Sequence, residues 1–89
     1  MPELSRFFGI IVRMFREPDE RHHDPHVHVV YQDHAAVYGL DPIEYIAGEL
    51  PTRQHRLVLA WVELHETELL ADWELVCSGN RPRKVAPLR

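Results

Sequence analysis

The sequence predicts an α+β fold, a small antiparallel sheet of three to four strands (a meander) packed by a C-terminal helix or helix pair. The first half of the chain contains short extended segments rich in β-branched and aromatic residues, separated by turn residues. The links between them are too short for parallel crossovers, so the pairing should be antiparallel. From residue 52 onward, apolar residues recur at spacings of three and four without Gly or Pro until Gly79, which is typical of helix.

A chain of 89 residues is expected to form one domain. We divide it into a β meander over about 6–47, a helical part over 51–79 and a basic tail over 80–89. A domain of this size has a small hydrophobic core. Its stability is therefore expected to be modest, or shared with a partner that could include a second copy of the chain in a homo-oligomer.

The first strand is predicted over Phe7–Phe15, after a short lead over Met1–Ser5. Both of its side-chain rows are largely apolar, which is typical of a central strand covered on both faces. Arg13 is the exception within its row. Either its stem lies on apolar surface with the guanidinium at the rim, or the cation is directed at the histidines that follow.

The later strands are bounded by turn residues. Pro25 precedes the alternating segment His26–Tyr31, and a turn at residues 32–34 follows it. The remaining strands are predicted over Ala35–Leu40, before the turn residues Asp41 and Pro42, and over Ile43–Ala47, which Gly48 closes.

The helical part should begin at Pro51 and Thr52, since Pro suits a first turn and Thr a cap. The polar segment His65–Glu68 fits either a break between two helices or a bend. Gly79 and Asn80 are typical of a helix end, and a short edge strand is predicted over residues 84–86. One apolar stripe should pack on the sheet: Val58, Trp61, Val62, His65, Leu69, Trp73 and Val76.

Charge and composition weigh against several classes of protein. Residues 41–74 carry 8 acids and 2 bases, and the net charge is −4, which weighs against general nucleic-acid binding. No apolar run is long enough for a membrane span, and the N-terminal residues do not resemble a signal peptide. Cys77 is the one cysteine, so we expect no internal disulfide and a cytoplasmic protein.

Four of the seven histidines lie between His22 and His28. Because side chains two apart on a strand share a face, His26 and His28 should project together. His22 could add a third nitrogen, and three histidines with an open position describe a catalytic site for a divalent transition metal such as zinc. Alternatively, His26 and His28 could form an acid–base pair, because imidazole titrates near neutral pH. A purely structural role on a half-exposed strand also stays open.

Four segments together resemble a small bacterial family known as a domain of unknown function, number 4160. They are RFFGIIVRMF, HHDPHVHV, GELP and LVLAWVELHETELLADWEL, and the resemblance spans Arg6 to Leu88. The family's histidine motif usually reads H-N-P-P-H-F-H-V. His22, Pro25, His26 and His28 match it, whereas residues 23, 24 and 27 depart from it.

The resemblance implies a gene context rather than a chemistry. Genes of this family often lie beside a second uncharacterised family, number 2442, in a layout similar to toxin–antitoxin modules. It thus implies a toxin-like chain with a cognate protein from a neighbouring gene. We expect His22, His26, His28 and Arg13 to form its active surface, with RNA or a nucleotide as target. The alternatives are a non-catalytic protein-binding adaptor and a metal-dependent hydrolase.

Overall fold

The structure, a computed structural model, describes residues 2–16 and 24–89. Within these ranges the elements are β1 (Glu3–Phe7), β2 (Ile10–Arg13), β3 (His26–Tyr31), β4 (His34–Leu40), β5 (Ile43–Gly48), α1 (Thr52–Leu64) and α2 (Glu66–Cys77). The strands form one antiparallel sheet in the order β1-β2-β3-β4-β5. The predicted α+β meander is confirmed, with five strands in the described ranges rather than three to four.

The prediction of one strand over Phe7–Phe15 is wrong, because the chain reverses at Phe8 and Gly9. Both residues have positive φ, 49° and 78°, and Phe7 pairs with Ile10 across the turn. Two positive-φ residues give a two-residue turn whose twist matches the flanking strands. The predicted lead over Met1–Ser5 is also wrong from Glu3 onward, since this segment belongs to β1, while Met1 lies outside the described residues.

The other strands follow the predicted bounds closely. β3 has the predicted limits, and Tyr31 pairs with His34, so that the turn holds only Gln32 and Asp33. β4 begins one residue earlier than predicted, and β5 includes Gly48. The turn between them contains a cis Asp41–Pro42 peptide bond.

The core lies between the helices and the sheet face that carries Val27 and Tyr38. Both side chains are fully buried, and the two residues are paired across β3 and β4. Trp61 of α1 is also fully buried, and its ring centroid lies 5.4 Å from that of Phe7. The predicted burial of the helical stripe is confirmed for Trp61, Leu69 and Trp73, which all belong to this core.

A break separates the two helices at His65, so the alternative of a single bent helix is wrong. His65 has φ −116° and ψ 19°, which ends α1 and begins α2. Its side chain is half-buried, and its Nδ1 lies 2.8 Å from a carboxylate oxygen of Glu68. The polar residues at this point thus mark the break between the two helices in the sequence.

The end of α2 is a Schellman motif. Gly79 has φ 81°, its N–H donates to the Val76 carbonyl, and the Asn80 N–H donates to the Leu75 carbonyl. Glycine suits this left-handed position because it has no Cβ. The helix end predicted at Gly79 and Asn80 is therefore confirmed.

The tail after α2 contacts both the sheet and α1. The Val85 N–H donates to the Leu4 carbonyl, and the Trp61 indole N–H donates to the Ala86 carbonyl. Residues 84–86 form no strand, so that prediction is wrong. Pro82 and Pro87 flank the segment and lack the N–H groups that a longer ladder needs.

Candidate functional site

The strand β3 places His26 and His28 side by side. Their ring centroids lie 5.1 Å apart, with the ring planes 67° to one another. Val27 and Val29, which alternate with them, are buried in the core. This is the arrangement expected from the period of two along a strand, so the structure brings together two of the three predicted histidines.

His26 is held in a defined orientation. Its side chain is only 4% exposed, and its ring centroid lies 4.9 Å from that of Trp73 in α2. Its Nδ1 lies 2.8 Å from the carbonyl oxygen of Asp24. Because a carbonyl can only accept, Nδ1 carries the proton of this hydrogen bond. In the neutral ring the lone pair therefore belongs to Nε2.

His28 is half-buried and stacks on Phe15. The two ring centroids lie 4.1 Å apart with an interplanar angle of 15°. Arg13 is the direct cross-strand partner of His28 between β2 and β3, and residues opposite one another in a ladder share a face. Arg13 thus lies on the side of the sheet that carries the histidine cluster. This position is the one required if the Arg13 cation is directed at the histidines.

We call Arg13, Phe15, His26 and His28 the imidazole–guanidinium surface. A depression of about 370 Å³ beside it is lined by three of these residues and by apolar side chains. That volume is within the range of small-molecule sites. Its lining residues are Arg13, Phe15, His28, Val29, Val30, Ala35, Ala36, Val37 and Gly48.

Phe15 was not predicted as a site residue. Its place in the same alternating row as Arg13 was a usable signal, because that row faces the histidines once β2 and β3 pair. The stacking itself depends on the β2–β3 register, which composition alone does not give.

His22, the third predicted metal ligand, lies outside the described residues. Within residues 2–16 and 24–89, no group of three His, Cys, Asp or Glu side chains is placed to hold a metal ion. His26 and His28 are two adjacent imidazoles of the kind that ligate metals. The metal site that includes His22 stays a prediction.

A second polar cluster, missed by the sequence prediction, joins β4 to α1. The Tyr38 hydroxyl lies 2.8 Å from Nδ1 of His55, and the Tyr45 ring lies 6.1 Å from both of these rings. Burial raises the pKa of Tyr38 to about 12, with a smaller contribution from Tyr45. The hydroxyl stays protonated at neutral pH, and its hydrogen bond with His55 Nδ1 makes this pair a link between the sheet and the helix.

The fold and the site define a small α+β protein with an imidazole–guanidinium surface on the sheet. Neither of its two described helices is long and apolar enough to span a membrane. The chain belongs to the family described as Domain of unknown function (DUF4160), whose model matches residues 9–74. No match was found among curated proteins or among solved structures. The matched range contains the whole imidazole–guanidinium surface, and the resemblance identified from the four sequence segments is confirmed.

Proposed function

We propose that this chain is the toxin-like component of a two-gene module, and that its imidazole–guanidinium surface acts on RNA or a nucleotide in the cytoplasm. The observation that supports this proposal is the register of β2 and β3, which places Arg13 directly opposite His28. His26 adds a second imidazole 5.1 Å from the first. The gene context implied by the family resemblance supplies the toxin-like part of the proposal.

The chemistry of these side chains suits a phosphodiester. A guanidinium binds phosphate oxygens with two parallel hydrogen bonds. The Phe15–His28 stack is an aromatic surface next to that cation, and aromatic side chains are the usual platform for unstacked bases. The apolar wall of the depression, which includes Val30 and Val37, would contact the rest of the base.

Two imidazoles could carry the proton transfers of RNA cleavage. A neutral ring takes the proton of a ribose 2′-hydroxyl as its oxygen bonds to phosphorus. A protonated ring gives a proton to the departing 5′-oxygen, which leaves a 2′,3′-cyclic phosphate and a 5′-hydroxyl. Arg13 would stabilise the negative charge that develops on the phosphorane.

Burial sets the order in which a substrate meets these groups. The Nε2 atoms of both histidines are buried, whereas the His28 ring as a whole and Arg13 are half-buried. A substrate would therefore contact Arg13 and the Phe15–His28 stack first. It would reach His26 only after nearby side chains move.

Induced expression in a bacterial host, with and without the neighbouring gene, tests this proposal. We expect growth arrest with the chain alone and recovery when the cognate protein is co-expressed. The variants His28→Ala and Arg13→Gln should abolish the arrest. His34→Ala is the matched control, because His34 is an exposed histidine at the start of β4, outside the surface.

Circular dichroism of the purified variants separates loss of action from loss of fold. If the folded His28→Ala variant arrests growth as strongly as the parent, the surface is not the active one. If the parent never affects growth or translation at any expression level, the toxin-like role is wrong.

A metal-dependent hydrolase is a second candidate, favoured by the adjacent His26 and His28 nitrogen donors. Metal analysis of the purified chain, before and after dialysis against a chelator, tests it. The hydrolase requires about one bound transition metal ion per chain, lost in His26→Ala and kept in His34→Ala. Retained metal in the His26 variant would contradict this assignment.

The non-catalytic adaptor is favoured by a different observation, the exposed edge strand β5. Its side chains after Ile43 are exposed, including Tyr45 and Ile46. An exposed apolar edge is a ready template for an added strand of another protein. Replacing Ile46 with Lys should abolish complex formation with the cognate protein if this edge is the interface, and leave it unchanged if it is not.

A further inference from the structure

A second groove, separate from the imidazole–guanidinium surface, lies between α2 and the tail. Its volume is about 360 Å³, again within the range of small-molecule sites. The residues from α2 are spaced as one helical face and meet three consecutive tail residues. The lining consists of Glu68, Ala71, Asp72, Leu75, Arg83, Lys84 and Val85.

Asp72 is the unusual residue of this groove, because its carboxylate is only 3% exposed. One oxygen, Oδ1, accepts a hydrogen bond of 2.9 Å from the Arg83 backbone N–H. The other, Oδ2, is buried and has no hydrogen-bond partner among the residues that the structure describes. Burial raises the pKa of Asp72 and outweighs two opposing effects of Arg83, the hydrogen bond from its N–H and the charge of its guanidinium.

A buried carboxylate oxygen without a donor is costly, since it has lost its water and gained nothing in return. An ordered water molecule or a ligand can supply the missing donor. An anchor for the tail would need only the Oδ1 bond, which an asparagine could also accept. The hydrogen bond to the tail therefore does not by itself require a negative charge at this position.

The charges around Asp72 have both signs. Glu68 is already engaged by His65 at 2.8 Å, and Lys84 lies 4.0 Å from Glu3. The Arg83 guanidinium has no ion pair with any residue in the described ranges. The groove thus presents one buried anion and, near it, one cation that forms no ion pair with a described residue but whose charge acts on Asp72, beside the apolar side chains of Leu75 and Val85.

We propose that this groove binds a free α-amino acid with an apolar side chain. The ligand's ammonium group donates to Asp72 Oδ2, and its carboxylate pairs with the Arg83 guanidinium. The side chain lies against Leu75 and Val85. A free amino acid supplies a donor and an anion a few bonds apart, together with an apolar group, and it is small enough for a groove of about 360 Å³. The inference is independent of the proposed action on RNA.

Binding of single amino acids to the full chain tests the proposal. The standard amino acids, each at millimolar concentration, are added to ¹⁵N-labelled protein while the Arg83 and Ala71 amide signals are followed. We expect leucine to shift both signals. N-acetyl-leucine lacks the ammonium and leucinamide lacks the carboxylate, so each should bind at least about tenfold more weakly, the loss expected for one charged hydrogen bond.

Two variants and one control assign the contacts. Asp72→Asn keeps the acceptor for the Arg83 N–H and should weaken leucine binding by about tenfold or more. Arg83→Leu keeps the backbone bond and should weaken leucine binding but leave leucinamide binding unchanged. Glu74→Gln alters an exposed acid of α2 outside the groove and should change neither.

The outcomes that overturn the proposal are equally definite. If no amino acid shifts the Arg83 amide, the groove does not take this ligand class. If Asp72→Asn and Glu74→Gln bind leucine as the parent does, Asp72 is not the ammonium site. Should the Asp72 variant not fold, the leucine-to-leucinamide comparison in Arg83→Leu decides, since equal losses for both compounds would contradict the proposed orientation.

Discussion

The Tyr38 hydroxyl and Nδ1 of His55 are joined by a hydrogen bond of 2.8 Å. Tyr38 is fully buried in β4, whereas His55 is half-buried in the first turns of α1. The bond therefore fixes the start of the helical part on the sheet. It gives the first of four predictions.

Tyr38→Phe should lower the free energy of unfolding by about 1–2 kcal/mol at neutral pH, because it removes a hydrogen bond to a part-buried imidazole. Burial raises the pKa of Tyr38 to about 12, so the folded state holds this proton more firmly than the unfolded chain. The stabilisation is complete below the unfolded pKa and is lost as the pH rises through the folded one. Urea unfolding at several pH values between neutral and 12 measures it.

The Tyr38→Phe variant has no hydroxyl to ionise at this position, so its free energy of unfolding should not fall for this reason at high pH. The parent and the variant should therefore approach one another in stability as the pH rises towards 12. A constant difference between them across that range would show that Tyr38 does not titrate as described.

Trp61→Ala should lower the free energy of unfolding by about 3–5 kcal/mol, the usual effect of truncating a core aromatic residue. The substitution removes the packing of the Trp61 ring on Phe7 and the hydrogen bond from the indole N–H to the Ala86 carbonyl. Leu64→Ala on the same helix is the control, because Leu64 is 69% exposed, and it should change stability by less than about 0.5 kcal/mol. Equal unfolding midpoints for the two variants would place Trp61 outside the core.

Gly48→Ala and Gly79→Ala form a matched pair, since both residues have φ near 80°. At Gly79 an added Cβ meets nothing within 4 Å, so only the backbone strain of about 1–2 kcal/mol remains. At Gly48 the Cβ would lie 2.1 Å from the Ala35 carbonyl oxygen, and the total should reach about 3 kcal/mol or more. Thermal unfolding measures the loss of stability in each variant. A larger loss in Gly79→Ala than in Gly48→Ala would contradict this prediction.

Asp72→Asn should be at least as stable as the parent at neutral pH. Burial raises the pKa of Asp72, so this group favours the folded state below its unfolded pKa, and the contribution is lost as the pH rises through the folded pKa. At neutral pH the parent therefore buries a charge that the neutral amide avoids. In denaturant unfolding, the difference in free energy of unfolding between the variant and the parent should become smaller as the pH is lowered. A variant that is markedly less stable than the parent at pH 7 would contradict this prediction.

Much of the fold was predictable because turn residues separate the later strands in the sequence. Pro25, Asp41 and Pro42 bound the later extended segments, and the structure places those strands within one residue of the prediction. The apolar run from Phe7 to Phe15 was misleading, since its two strands and turn share one composition. Gly9 was a turn signal, but its partner Phe8 adopts a positive φ that this residue type seldom takes.

The candidate site was predictable only where it depends on local geometry. His26 and His28 are neighbours through the strand period alone. The contacts of His26 with Trp73 and of Tyr38 with His55 join segments far apart in the sequence, so they depend on how the helices pack. In the sequence Asp72 is one of several acids of α2, and nothing local reveals that its carboxylate contacts the tail.

The meander also has a consequence for how the chain folds. Every strand pairs with its neighbour in sequence, and the longest connection between paired strands runs only from Arg13 to His26, so the pairings lose little chain entropy. Such local topologies fold rapidly. The bond between the Val85 N–H and the Leu4 carbonyl is the opposite case, since it closes a loop of almost the whole chain. The sheet and helices should therefore assemble first, with the tail closing over α2 in a late step whose rate sets when the Asp72 groove comes into existence.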